Sequence, residues 1–186
     1  MSQSETYSIK ALQNRKRGLK FDALTGVPMF MDYAHHEVHA GTHYFYDDTH
    51  LLTKNTGIVH LIKTPDTNRS AHFLMAVGAT GGQTLVEVFE GPTVSNVGTP
   101  EPVFNRNRNF PDNNTTLLYE TPTYSASGVR IGRATYGTRD KKSAGGGDRG
   151  ESEIVLKRNT LYLITILELN VAATVINITF DWYEHS

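Results

Sequence analysis

The stretch Thr174-Val-Ile-Asn-Ile-Thr-Phe-Asp-Trp-Tyr183 decides the fold class. Every second side chain in it is apolar, with polar residues between: Ile176, Ile178, Phe180 and Trp182. A period of two places alternate side chains on opposite faces of a β-strand. The pattern therefore predicts a strand with one face buried in a core.

The segment just before it, Leu161-Tyr-Leu-Ile-Thr-Ile-Leu167, is apolar at nearly every position. It is rich in β-forming residues and too short for a buried helix, which favours a central strand covered on both faces. Further segments have strand patterns and are separated by turns rich in Gly, Pro, Asn and Asp. These segments are residues 35–46, 57–63, 71–79, 83–90, 115–119, 129–135 and 151–156.

This succession of short strands, with residues 8–17 as the one helical candidate, predicts an all-β protein. At 186 residues the chain is long enough for one domain with a substantial core. We expect a jelly-roll-like antiparallel β-sandwich over residues 31–186, preceded by an extended basic N-terminal arm over residues 1–30. Two long segments, residues 96–114 and 137–150, are predicted to be surface loops.

The composition limits the possible chemistry. With 38% hydrophobic and 20% charged residues the chain is typical of a globular protein, and it has no cysteine. The lack of cysteine removes disulfides, thiolate metal sites and cysteine nucleophiles, and it fits folding in a reducing cytoplasm. The first residues lack a signal-peptide pattern, and no run approaches the roughly 20 apolar residues of a membrane span. We therefore expect no membrane partner.

Charge is distributed unevenly along the chain. Residues 1–20 contain five Lys or Arg and one Glu, a net +4, so the rest of the chain carries −5 within an overall −1. Such an arm can bind an acidic protein surface or nucleic acid, and a solvated tail is the third possibility. Because Tyr7 is the only aromatic residue among residues 1–20, the composition favours a protein surface over nucleic acid. Its basic residues are Lys10, Arg15, Lys16, Arg17 and Lys20.

A cluster of histidines within nine residues is a candidate metal-binding site. It comprises His35, His36, His39 and His43, beside Glu37. Imidazole is a common ligand of zinc and iron. On a strand, the candidates sharing one face would be His35, Glu37, His39 and His43. However, the segment 36–39 is one residue short of the HExxH zinc motif, which also needs a helix. We predict no metal and no other cofactor, and keep these four as candidates.

Catalytic motifs do not match this sequence. It has no Gly-x-Ser-x-Gly elbow, and residues 132–138 lack the Gly-Lys-Ser/Thr that ends a phosphate-binding loop. We therefore predict no catalytic residue and no enzyme.

The run Asn105-Arg-Asn-Arg-Asn109 lies between Phe104 and Phe110, which are expected to anchor its ends in the core. Amides and guanidiniums offer several donors in fixed planes, so such a loop makes many hydrogen bonds. We predict that its residues either form hydrogen bonds within their own loop or contact a neighbouring subunit. Binding of a ligand or sugar is a less favoured third alternative. They are Asn105, Arg106, Asn107, Arg108 and Asn109.

Five segments form a distinctive set when taken in chain order. They are His35-His-Glu-Val-His39, Phe104-Asn-Arg-Asn-Arg-Asn109, Gly147-Asp-Arg-Gly-Glu151, Ile154-Val-Leu-Lys-Arg-Asn-Thr-Leu-Tyr162 and Trp182-Tyr-Glu-His185. Together they resemble a family of tailed-bacteriophage virion structural proteins, the capsid decoration or cement proteins. The resemblance spans roughly residues 30–186, and none of these motifs is catalytic in that family.

The resemblance implies a jelly-roll-like subunit, assembled as a homotrimer, that is made in the host cytoplasm and sits on the capsid exterior of the virion. It would fasten neighbouring major capsid proteins, with the basic arm lying along the acidic shell. We expect no nucleic-acid partner. Two alternatives stand beside this interpretation: a tail fibre or receptor-binding module that recognises host surface glycans, and a metal-dependent cupin-like enzyme that uses the histidine cluster.

Overall fold

The computed structural model describes residues 20–21, 26, 28–29, 33–137, 144–148, 153–169 and 173–185. The chain divides into two units, residues 1–36 and 37–186. In the first unit, strands β1 (Lys20–Phe21) and β2 (Pro28–Met29) pair antiparallel. The helical candidate at residues 8–17 lies outside the described residues.

The second unit contains the remaining strands. They are β3 (His43–Leu52), β4 (Gly57–Lys63), β5 (Ser70–Thr80), β6 (Gln83–Glu90), β7 (Thr93–Asn96), β8 (Thr99–Pro100), β9 (Phe104–Asn105), β10 (Leu117–Glu120), β11 (Thr123–Ala126), β12 (Val129–Gly137), β13 (Ala144–Asp148), β14 (Ile154–Val155), β15 (Leu161–Glu168) and β16 (Thr174–His185). A helix, α1 (Tyr33–Ala40), ends just before β3. Within the described ranges no helix is long and apolar enough to cross a membrane.

The long strands form two antiparallel sheets that pack as a sandwich. The first sheet has the order β13-β5-β16-β3-β9, with β14 also paired to β5, and the second has the order β12-β6-β15-β4-β10-β8. At their centres stand the arrays β3-β16-β5-β13 and β4-β15-β6-β12, in which the chain passes repeatedly from one sheet to the other. This is the strand order of a double-sheet jelly roll. The predicted all-β, jelly-roll-like sandwich is confirmed.

The two C-terminal strands lie where their patterns predicted. On β16, the side chains of Ile176, Ile178, Phe180 and Trp182 are at most 1% exposed, and they face the core between the sheets. β15 lies between β6 and β4, with Ile164 facing the core. Leu163, on the opposite face, is also fully buried, whereas Leu167 on that same face is 37% exposed. The prediction of a strand covered on both faces therefore holds around Leu163 and fails towards the C-terminal end of β15.

The segment 35–46 was predicted as one strand, and this is wrong for its first part, which belongs to α1. The helix ends at Gly41, whose φ of +73° is in the left-handed region. Gly41 N–H donates to Val38 O at 3.2 Å, and Thr42 N–H donates to Glu37 O at 3.1 Å. These two bonds form a Schellman motif, which closes a helix and lets the chain turn directly into β3.

The glycine-rich segment 137–150 was predicted to be a loop, and this is wrong for residues 144–148. They form β13, an edge strand in which Gly146 pairs with Gly78 of β5. Glycines have no side chains to show a period of two, so the pairing is visible only once β5 is in place. In contrast, residues 97–114 contain only the two-residue strands β8 and β9, so the segment 96–114 is mostly irregular, as predicted.

Candidate functional site

The basic arm proposed as the capsid-binding element falls largely outside the described residues. This applies to Lys10, Arg15, Lys16 and Arg17. Lys20 is the first residue of β1. The charge difference between arm and body is therefore a property of the sequence, and capsid binding by the arm stays a prediction.

Asn105, the first residue of the predicted Asn-Arg loop, is fully buried on β9. Its Nδ2 donates to Gly41 O at 2.7 Å and to Pro111 O at 3.3 Å. Its Oδ1 accepts from Asn107 N at 2.9 Å, and its own N–H donates to Asp112 Oδ1 at 2.6 Å. One amide side chain thus joins the end of α1 to both halves of the loop.

The two arginines of the loop bind carboxylates of the same chain. Arg106 Nε and Nη2 donate to the two oxygens of Asp181 at 2.5 and 2.6 Å, and Arg108 Nη1 donates to Asp112 Oδ1 at 2.8 Å. Burial raises the pKa of the Asp181 carboxyl, but hydrogen bonds from His43 and Arg106 outweigh burial and hold that pKa below its ordinary value. The hydrogen bonds from Arg106 explain how β16 can tolerate a largely buried aspartate.

The chain that follows the Asn-Arg loop, at residues 115–116, is held by a buried carboxylate on β16. Glu184, at 1% exposure, accepts hydrogen bonds from Thr115 N, Thr115 Oγ1, Thr116 N and Trp182 Nε1 at 3.0, 2.5, 2.7 and 3.2 Å. Backbone groups of an irregular segment are thereby satisfied without strand pairing. The loop is braced from within the domain at both ends.

Two features of the loop remain at the surface. Phe104 and Phe110 were expected to anchor its ends in the core, but they are 40% and 43% exposed, so that expectation is wrong. Phe110 instead packs on Gly41, where an added Cβ would lie 2.4 Å from the ring. The side chain of Arg108 is 60% exposed, and its guanidinium lies 5.4 Å from the centre of the Phe104 ring. A subunit contact through these outward groups stays a prediction.

The histidine candidates do not lie on one strand face. His35, Glu37 and His39 are in α1, whereas His43 begins β3. Glu37 is buried and accepts a hydrogen bond from Thr42 Oγ1 at 2.5 Å, and His43 Nε2 lies 3.2 Å from Asp181 Oδ1. The strand arrangement was wrong because residues 33–40 form a helix, and the Schellman motif at its end separates them from β3.

A second polar network joins β5 and β16. His72 Nδ1 contacts Glu153 Oε1, and His72 Nε2 lies 2.8 Å from His185 Nε2. Tyr183 Oη donates to Glu153 Oε2 at 2.6 Å. Burial raises the pKa of Glu153, but the hydrogen bonds from Tyr183 and His72 outweigh it, so this pKa lies below its ordinary value. The network ties the chain before β14 to the outer face of the first sheet.

The outward face of the second sheet is apolar at its centre. Leu61 and Leu163 pair with each other across β4 and β15, and both are fully buried on this face. Beside them an open groove of about 290 Å³ crosses β4, β15 and β6 and is bordered by the end of β11. Its apolar lining includes Val59, Leu85, Phe89, Tyr124 and Leu167.

Charged side chains border this groove on the β12 side. Glu87 Oε1 accepts a hydrogen bond from Arg130 Nη1 at 2.9 Å and lies 3.5 Å from Arg133 Nε. The two arginine side chains are 50% and 57% exposed, so these ion pairs contribute little to stability. An apolar centre with a charged rim resembles the surface of a protein-binding site. Sequence reasoning missed this surface because its residues come from four strands.

Comparison with known proteins adds no relative: no protein-family model, no curated protein and no solved structure matches this chain.

Proposed function

We propose that this protein is a capsid decoration protein, which binds the outer surface of a bacteriophage capsid and stabilises the contacts between neighbouring major capsid proteins. The observation that carries the proposal is the apolar groove with a charged rim on the outward face of the second sheet. A jelly roll fills its core from the inward faces of its sheets. Apolar side chains left in an open groove on an outward face are therefore available to another protein.

The exposed apolar residues support an assembly role. At the groove, Leu167 is 37% exposed and Tyr124 is 36% exposed. Val129 and Ile131 at the neighbouring sheet edge are 68% and 42% exposed. Apolar side chains grouped on an exposed face in this way are a feature of protein interaction sites.

The charge distribution supports a second contact through the arm. An arm of +4 on a body of −5 favours orientations in which the arm approaches an acidic partner first. An extended arm that orders on binding makes many small contacts, whose free energy must exceed the entropy lost on ordering. In this proposal the arm tethers the subunit to the capsid, and a homotrimer of sandwiches presents the outer surface.

The test is a co-sedimentation assay with capsids assembled without this protein. We expect the full chain to pellet with the capsids in a saturable manner, and a chain lacking residues 1–20 to bind at least about ten times more weakly, with a reduced dependence on salt. A full-length chain with a scrambled arm of the same composition separates net charge from sequence. Circular dichroism of the shortened chain checks that the sandwich still folds.

A second pair of variants tests the groove separately. Leu167→Lys places a charge in the groove, whereas Leu51→Lys places the same charge on β3, where Leu51 is 69% exposed. We expect only the first to weaken capsid binding or trimer formation measured by analytical ultracentrifugation. Capsid binding that survives both the arm deletion and Leu167→Lys would contradict the proposed surfaces, and binding to host cells in place of capsids would favour a receptor-binding module.

A further inference from the structure

A group of polar side chains lies inside the sandwich, away from the groove and the Asn-Arg loop. It comprises His50 on β3, His60 on β4 and Glu120 on β10, whose ligand atoms lie within 4.8 Å of one another. Glu120 stands directly opposite His60 in the β10–β4 pairing, so the two side chains share a face. His50 stands opposite the buried Ile176 of β16 and also faces inward. The three side chains therefore converge from both sheets.

His60 is the most unusual member of the group. It is fully buried, and within the described part of the chain neither of its ring nitrogens has a hydrogen-bond partner. Its neighbours are mainly rings, with centroids at 5.6 Å for Tyr46, 5.2 Å for Phe180 and 6.2 Å for His50. Buried polar groups in folded proteins are almost always satisfied, so an orphan imidazole calls for an explanation such as an ion. Burial lowers its pKa to about 4, which leaves the ring neutral and able to bind a metal at neutral pH.

Carboxylates surround this pair of histidines. Asp48 Oδ2 lies 2.9 Å from His50 Nε2, without the alignment of a hydrogen bond, and accepts a hydrogen bond from Tyr46 Oη at 3.0 Å. Burial and the nearby charges of Glu120 and Asp48 raise the pKa of Glu101. Among the described residues, no Lys or Arg forms an ion pair with Asp48, Glu101 or Glu120. A cation at this position would reduce the repulsion between the carboxylates of Asp48, Glu101 and Glu120, and it would give the His60 imidazole a partner.

We propose that His50, His60 and Glu120 bind a divalent first-row transition ion, with Zn²⁺ as the reference metal. Two imidazoles and a carboxylate suit zinc, iron and manganese rather than calcium or magnesium, which prefer all-oxygen sites. Zinc binds nitrogen and carboxylate oxygen at about 2.0–2.2 Å, so the ligand atoms around it are about 3.3 Å apart. Side-chain rotations that move each ligand atom by about 1 Å would bring the three atoms to that spacing. Asp48 or a water molecule could supply the fourth ligand of the metal.

The ion would join strands from both sheets. β3 belongs to the first sheet, whereas β4 and β10 belong to the second. A bound metal would thus link the two sheets of a sandwich that has no cysteine and hence no disulfide. This inference is independent of the proposed capsid function, since it concerns a site inside one subunit.

The experiment uses the purified full chain, stripped with a chelator and titrated with Zn²⁺ by calorimetry and with Co²⁺ by visible absorption. We expect one ion per chain, a cobalt spectrum of a nitrogen and oxygen site, and a rise in melting temperature on adding Zn²⁺. Glu120→Gln and His50→Asn should each weaken binding by at least about 100-fold, because even outer-sphere partners of a metal contribute 10- to 100-fold. His39→Asn removes a histidine of α1 and should leave binding unchanged.

Replacing the fully buried His60 could unfold the domain, so the test uses variants of the two partly exposed ligands, His50 and Glu120. Circular dichroism checks that both variants fold. Stoichiometric binding that is lost in Glu120→Gln and in His50→Asn but kept in His39→Asn supports the site. Absence of Zn²⁺ and Co²⁺ binding at micromolar concentrations, or binding that both ligand variants retain, overturns it. Loss of binding in His39→Asn would place the metal in the histidine cluster instead and would also overturn the proposal.

Discussion

Replacing Asn105 with alanine tests how the Asn-Arg loop is held against the sandwich. The variant loses the hydrogen bonds from Nδ2 to Gly41 O at 2.7 Å and to Pro111 O at 3.3 Å, and the one that Oδ1 accepts from Asn107 N at 2.9 Å. Pro111 is exposed and its carbonyl still accepts from Asn113 N, so the loss of that bond costs little. Gly41 is buried, so its carbonyl cannot turn to water, whereas Asn107 is partly exposed and its N–H can. The change therefore leaves the Gly41 carbonyl without a hydrogen-bond partner and leaves the Asn107 N–H only partly satisfied by water.

The expected loss of stability follows from these two groups. A buried polar group left without a partner costs about 1–3 kcal/mol, and a partly solvated one costs less. We expect Asn105→Ala to lower the free energy of unfolding by about 2–4 kcal/mol, a large share of the roughly 5–15 kcal/mol that is usual for a domain. Asn109→Ala is the matched control in the same loop, because Asn109 is exposed and should cost at most about 0.5 kcal/mol.

The assay is urea unfolding followed by the fluorescence of Trp182, which is the only tryptophan of the chain and is 1% exposed. Because β9 pairs with β3 next to Trp182, the probe reports on the region that the loop covers. A loss below about 1 kcal/mol for Asn105→Ala, or an equal loss for Asn109→Ala, would refute the view that this buried amide organises the loop.

Three further predictions concern the same domain. Glu184→Ala removes the acceptor for four donor groups and should cost about 3–5 kcal/mol in urea unfolding; a cost under about 1 kcal/mol would show that water replaces the carboxylate. The pKa of Asp181 is lowered in the folded state, so its pairing with Arg106 stabilises the protein above the ordinary carboxyl pKa and is lost as pH falls through the folded value. Asp181→Asn should flatten the decline of melting temperature below about pH 4, and an unchanged slope would contradict this. A Cβ at Gly98 would lie 2.1 Å from Glu120 O, whereas Gly91 has open space and also a positive φ, so Gly98→Ala should lower the melting temperature well beyond Gly91→Ala, which carries only the left-handed backbone cost of about 1–2 kcal/mol.

The parts of the fold that were predictable are those in which burial sets the pattern. β16 alternates because one face meets the core, and β15 is apolar on both faces because its inward face meets the core and Leu163 is buried on its outward face. These patterns are local, so they are readable without knowing the partners of a strand. The order of the strands is not local, and only the pairing shows that the sandwich is a jelly roll.

The failures have equally physical causes. Helix α1 has only eight residues and little apolar periodicity, and its end is defined by the left-handed Gly41 rather than by a hydrophobic pattern. The glycines of β13 have no side chains that could reveal a strand. Phe104 and Phe110 were expected in the core on polarity alone, but the buried anchor of that loop is Asn105, which hydrogen-bonds to backbone groups that have no strand partner.

The group formed by His50, His60 and Glu120 could not be found by spacing, because its members come from three strands in two sheets. One signal was available: His60 occupies a core position between Ile58 and Ile62 in a strand with a period of two. A histidine at such a position must find a partner, neutralise or bind an ion. The histidine cluster in residues 35–43 drew attention because its members are close in sequence, which is a poor guide to proximity on a β fold.

The most direct test of the capsid proposal is a cryo-electron microscopy map of phage particles purified from cells that produce this chain. We predict jelly-roll density on the outside of the capsid, bridging neighbouring major capsid proteins, with an N-terminal segment running along the shell and the groove lined by Leu85 and Leu167 covered by a neighbouring protein. Density for this sandwich at the tail tip, or particles that lack the chain altogether, would contradict the proposal.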